Sequence, residues 1–142
     1  MPRVLGQVQA VLVGRSETYT RPGTRSAIAK CPVTGRVSAG PLGLAGDEQA
    51  DRHVHGGPDK ALHLYAFEHY AAWRRELGHS ALLAAPGAFG ENLSTLGVTE
   101  DQLCLGDRLR IGTAVLEVAQ GRQPCWKLND RFAVPDMARR LQ

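Results

Sequence analysis

Glycine and proline interrupt this chain at short intervals, and that limits what it can fold into. Its 142 residues include 16 Gly and 8 Pro. Glycine frees the backbone for turns, and proline removes a backbone donor. The runs between them are short and β-prone: VLGQVQAVLV (4–13), SAIAK (26–30), HLYA (63–66), RLRIG (108–112) and AVLEVAQ (114–120). RLRIGTAVLEV sets Gly-Thr between two strand-like runs and reads as a tight hairpin. One helix stands out in FEHYAAWRRELG (67–78), where Tyr70, Trp73, Arg74 and Leu77 share a face and Gly78 sits at the C-cap. Tyr70 and Trp73 are assigned to the core. Shorter helical turns are expected at TEDQL (99–103), with Thr99 as N-cap, and in VPDMARRLQ (134–142). The expected architecture is mainly β, a barrel or strongly bent sheet with one or two peripheral helices, in one domain over residues 1–142.

Charge excludes some function classes. Lys and Arg number 17 against 14 Asp and Glu, a net charge of +3, and they are scattered. No Lys/Arg run marks a nucleic-acid arm, so no nucleic-acid partner is expected and a local anion site fits better. No apolar run reaches the length of a membrane span. Gln7 and Gln9 alternate with apolar residues near the N-terminus, as in a strand rather than a signal peptide. The expectation is a cytoplasmic protein with no membrane partner. Three cysteines form an odd set, and no disulfide framework is expected.

Three stretches carry candidate chemistry. In GRQPCWKLND (121–130), Pro124 stiffens the approach to Cys125, and Arg122 and Lys127 favour its thiolate, the nucleophilic and metal-binding form. A half-buried structural cysteine covered by Trp126 is the bland alternative. Cys104, between two leucines, is expected to be buried and inert, while Cys31 in AKCPV is open to either role. In GDEQADRHVHGGPDKA (46–61), Asp51, His53 and His55 alternate, so on a strand they face one way as a conceivable metal half-site. Solvated histidines on a polar strand are the competing reading. Gly56 and Gly57 allow close approach to a ligand, and Arg52 and Lys60 suit a phosphate or carboxylate. In PGAFGENLSTLG (86–97), Phe89 is expected to pin a glycine loop to the core, with Glu91 and Asn92 offering polar groups.

Taken together, SAIAKCPV, GPLGLAGDEQADRHVHGGPDKALHLYAFEHYAAW and PGAFGENLSTLGVTEDQLCLGDRLRIGTAVLEVAQGRQPCWKL, in that order, resemble the MOSC family, the domain found at the C-terminus of molybdenum cofactor sulfurases. The likeness is to its stand-alone, YiiM-like bacterial members, and it spans about residues 24–132. The resemblance implies a β-barrel with a cleft, a molybdopterin-type molybdenum cofactor, and Cys125 as a sulfur carrier or molybdenum ligand. It implies reduction of N-hydroxylated compounds such as 6-hydroxylaminopurine, and no pyridoxal phosphate is required. The chain has no flavin or iron–sulfur motif, so an external electron-donor protein is implied. Lys30 matches the family's lysine, and Arg52, His55, Gly56, Gly57, Glu91 and Asn92 fall in the family's other motif stretches as cofactor-cleft residues, while Arg122 joins Lys30 and Arg52 as a cation suited to the cofactor's phosphate. YiiM-like chains commonly continue into a helical tail past the Cys-Trp-Lys segment, whereas this sequence ends at Gln142.

Two other function classes compete with a reductase. One is a carrier or cofactor-binding module that uses a Cys125 persulfide without turnover. The other is a zinc hydrolase built on Asp51, His53 and His55. The reductase reading expects Lys30, Arg52, His55, Asn92, Arg122 and Cys125 to converge on one cleft.

Overall fold

The computed structural model describes residues 2–142, except for the side chains of Arg52 and Val54. The apolar run near the N-terminus forms the longest strand, β1 (Gln7–Val13). Short ribbons follow: β2 (Glu17–Thr18) with β3 (Arg25–Ser26), then β4 (Cys31–Pro32), then β5 (Ala39–Gly40) with β6 (Gly43–Leu44). A single helical turn, α1 (Arg52–His55), precedes β7 (Leu64–Ala66) and α2 (His69–Leu77). β8 (Leu93–Leu96), the hairpin β9 (Arg108–Ile111) and β10 (Ala114–Glu117), α3 (Trp126–Phe132) and α4 (Met137–Leu141) complete the order.

The central sheet has the order β4-β1-β8-β7. β1 runs antiparallel to β8, with Val8 opposite Thr95 and Ala10 opposite Ser94, and a register shift between Val8 and Ala10. β7 runs parallel to β8, Leu64 opposite Leu93 and Ala66 opposite Thr95. Parallel neighbours need a crossover, and α2 supplies it. β8 is therefore covered on both sides, and its polar side chains are satisfied: Ser94 accepts from Gln9 at 3.0 Å and Thr95 donates to the Val98 carbonyl at 3.3 Å.

The barrel expectation is corrected. No sheet closes on itself among the described residues, and the β9–β10 hairpin pairs only within itself. Closure needs a continuous ladder. Here β7 is three residues long, and edge strand β4 carries Pro32, which has no N–H to donate. What holds is the coarser reading of a mainly β fold with few helices.

The core forms where α2, the 86–92 loop and α3–α4 meet. Tyr65, Tyr70, Trp73, Leu83, Ala88, Phe89, Leu128 and Met137 are buried there. Phe89 is the hub, with ring centroids 4.7 Å from Tyr65, 5.3 Å from Tyr70, 5.9 Å from Trp73 and 5.2 Å from Phe132. Trp73 satisfies its indole N–H on the Tyr65 hydroxyl at 3.0 Å. The helix in 67–78, the hairpin, and the turn capped by Thr99 stand where the sequence placed them. Gly90, at φ +74, cannot be replaced freely, because a Cβ there would lie 2.9 Å from the Ile28 side chain.

Two stability predictions follow from this packing. Phe89→Ala should destabilise the fold by about 3–5 kcal/mol in urea unfolding, since it empties the aromatic hub. Ala133 ends α3 in the left-handed region at φ 53, so Ala133→Gly should stabilise by about 1 kcal/mol in the same assay.

Candidate functional site

The site is organised by a residue the sequence reading passed over. Asp47 follows the β5–β6 ribbon, and its side chain is 2% exposed. One carboxylate oxygen accepts from the Gly14 N–H at 2.8 Å and the Lys30 ammonium at 2.7 Å. The other accepts from the Asn92 amide at 3.0 Å. Asn92 also donates to the Leu12 carbonyl at 3.1 Å and accepts from the His63 N–H at 3.0 Å. Lys30 donates again to the Glu48 carbonyl at 3.2 Å. Gly14 fits this crossing because a Cβ would lie 2.8 Å from the Ala27 carbonyl oxygen.

Over this network lies a cavity of about 830 Å³. Lys30, Asp51, His55, His63, Arg122, Cys125 and Lys127 contribute to its polar wall, and Leu64, Leu93, Leu109 and Leu116 to its apolar one. Arg122 is anchored by donation to the Lys60 carbonyl at 3.0 Å, and Lys127 by donation to the Arg25 carbonyl at 2.6 Å. A guanidinium has five N–H donors and an ammonium three, so both keep donors for a ligand. Cys125 is half-buried at the N-cap of α3, with its carbonyl accepting from Leu128 N–H at 3.0 Å.

The cations leave their mark on the histidines. Burial pushes the His63 imidazole down to about 3, and the positive charge of Arg122 adds to this. His55 is lowered too, first by burial and then by Arg122 and Lys127, against the opposing pull of Asp51. Burial also lowers Arg122. Both imidazoles are thus largely neutral near pH 7, and the charged residues of the lining are Lys30, Arg122 and Lys127 together with Asp51, Asp59, Glu100 and Glu117, Lys30 being paired with Asp47.

The structure therefore gathers Lys30, His55, Arg122 and Cys125 of the sequence-derived set. Asn92 lies behind the wall, buried in the Asp47 network. Glu91 is fully buried and does not face the cavity. Its carboxylate accepts from the Tyr70 hydroxyl at 2.5 Å and the Phe89 N–H at 3.2 Å, and burial raises its pKa. Gly56 and Gly57 do not line the cavity either; Gly57, at φ 90, leads into the 58–60 turn. The side chain of Arg52 lies outside the described residues.

Two expectations are overturned. Asp51, His53 and His55 do not alternate along a strand. The Asp51 carboxylate accepts from His53 N–H at 3.1 Å and starts a helical turn, which leaves His53 exposed while Asp51 and His55 line the cavity. Among the described residues no three His, Cys, Asp or Glu side chains gather as a metal site. Cys104 is exposed rather than buried. Its N–H donates to the Asp107 carboxylate at 2.9 Å and its carbonyl accepts from Asp107 N–H at 3.0 Å, so a surface turn outweighs the flanking leucines. Cys31 is exposed as well, and neither thiol lines the cavity.

The buried network and His63 yield two predictions. Asp47→Asn should cost about 3–5 kcal/mol in urea unfolding, because it leaves Lys30 buried without its counter-charge. His63 holds a folded-state value near 3 against an ordinary 6.5. The unfolded chain binds the extra proton in that window, so stability should fall as pH drops from 6.5 toward 3. The limiting slope is about 1.4 kcal/mol per pH unit. His63→Gln should flatten that dependence, measured as unfolding free energy against pH.

Comparison with known proteins agrees with this frame. The MOSC domain profile matches residues 51–142. Protein YiiM of Escherichia coli is 48% identical over 132 residues, 93% of this chain and 58% of that protein. The uncharacterized protein YflK of Bacillus subtilis is 39% identical over 95% of this chain and 61% of its own length. A protein named Reductase from Gibberella moniliformis is 40% identical over 98% of this chain, which covers 24% of it. The crystal structure of YiiM from Geobacillus stearothermophilus superposes with a TM-score of 0.74 at 34% identity, over 95% of this chain and 60% of that one. This chain thus spans less than two thirds of each of these relatives. The domain it shares with them is the one whose profile matches, and the protein belongs to the MOSC domain family.

Proposed function

We propose that this protein is a molybdenum-cofactor-dependent oxidoreductase that reduces N-hydroxylated compounds such as 6-hydroxylaminopurine, with Cys125 as the thiolate ligand to the metal. The observation that carries the reading is the meeting of a half-buried thiol with Lys30, Arg122 and Lys127 on the wall of one 830 Å³ cavity. That volume suits a small-molecule cofactor site. The donor chemistry fits the group. A thiolate is a soft ligand appropriate to such a metal, and three cations suit the phosphate of a pterin cofactor. Support also comes from the MOSC domain match and from relatives named YiiM and Reductase.

When bound, the molybdenum cofactor supplies a metal that exchanges two electrons with substrate. The chain's own residues do the rest. Lys30, held by Asp47, and Arg122, held by the Lys60 carbonyl, bind and orient the anionic part. The apolar wall excludes water around the heterocycle. Reduction of the hydroxylamine breaks its N–O bond and consumes two electrons and two protons, giving the amine and water. The electrons come from an external donor protein.

The test is Cys125→Ser in a host that makes the cofactor. The variant should lose its molybdenum and its turnover of an N-hydroxylated purine, and its stability should change by about 1 kcal/mol or less. Full molybdenum and full turnover in the variant would overturn the assignment. A persulfide on Cys125 in molybdenum-free parent protein that carries out no reduction would replace it with the sulfur-carrier reading.

A further inference from the structure

We infer that the β2–β3 hairpin is a clamp on the first two turns of α3 that positions Cys125, with Arg21 and Asp130 as its positioning residues. The hairpin and α3 are about a hundred residues apart in sequence, yet contacts between them are dense. Tyr19 donates its hydroxyl to the Lys127 carbonyl at 2.7 Å. Lys127 returns a bond to the Arg25 carbonyl at 2.6 Å. Arg21 grips the Asp130 carboxylate through Nε and Nη2, both at 3.1 Å, and Thr20 donates to the same carboxylate. The Arg21 guanidinium also lies over the Trp126 ring, 4.1 Å from its centroid, and the Tyr19 ring is 6.0 Å from it.

The two residues that follow Cys125 are therefore both held by the hairpin, Trp126 by stacking and Lys127 by hydrogen bonds. On the other side Pro124 fixes its own φ. α3 has seven residues, too few to be stable unaided, so the direction of its first turn depends on what grips it. A pair with Arg21 54% exposed contributes little to global stability. Its forked, stacked geometry is suited to holding orientation instead.

The proposal rests on Cys125 being the functional thiol, but its test reads thiol chemistry and needs neither cofactor nor substrate. Failure of the reductase reading therefore leaves this outcome separately readable. The probe is iodoacetamide on the folded full chain, made without molybdenum and carrying Cys31→Ser and Cys104→Ser. Both replaced thiols are exposed, so their loss leaves the packing intact. Arg21→Ala and Asp130→Asn should each raise the alkylation rate of Cys125 by about fivefold or more, through local opening of the first turn. The double variant should exceed neither single, because one clamp is being lost. A companion protein that keeps Cys31 and lacks Cys104 and Cys125 should show no change at Cys31 on Arg21→Ala. Should Arg21→Ala fail to fold, Tyr19→Phe, which removes one hydroxyl, carries the same expectation. Rates within about twofold of the parent, multiplying effects in the double variant, or an equal rise at Cys31 would overturn the clamp.

Discussion

The buried Asp47 carboxylate is the constraint on which this structure turns. It sits in a loop, yet through Gly14, Lys30 and Asn92 it ties together the end of β1, the approach to β4 and the start of β8. Asn92 extends the tie to Leu12 and His63, on either side of its own strand. A charge so deeply buried costs several kcal/mol in desolvation unless it is fully bonded. Here each oxygen has a partner, and no described buried side-chain N or O atom lacks one. The same network that joins the sheet fixes where Lys30 presents its ammonium, so fold and site share one set of bonds.

From that frame the cavity gains its character. Its fixed cations are lysine and arginine, while its two histidines are held neutral by burial and by those cations. Leu64, Leu93, Leu109 and Leu116 line the same cavity and offer apolar contact. Phe89 and its ring neighbours keep the adjoining 86–92 loop in place, with Glu91 fastened beneath by Tyr70.

Local signals were legible in the sequence where short-range chemistry decides the outcome. Gly78 ends α2, Thr99 caps a turn, and Gly-Thr closes the β9–β10 hairpin. Barrel closure was not legible, because it depends on long-range pairing across edges such as the one Pro32 interrupts. The Asp51–His55 stretch alternates like a strand in the sequence, but the His53 N–H donates to the Asp51 carboxylate and the segment folds as a helical turn. Leucines beside Cys104 suggested burial, but Asp107 pulls that segment into a surface turn. Asp47 carried no signal because its partners lie 17, 33 and 45 positions away. Glu91 and Asn92 were singled out for the cleft, whereas the structure uses them behind it.

The central proposal is that Cys125, on the wall of the cavity, ligates molybdenum. The most direct measurement is protection of individual thiols by molybdenum. Protein loaded with cofactor in a competent host, and the same protein stripped of molybdenum, are treated with iodoacetamide and read cysteine by cysteine. The account predicts that Cys125 is protected in loaded protein and labelled after stripping, while exposed Cys31 and Cys104 label in both. Equal labelling of Cys125 in loaded and stripped protein would contradict it.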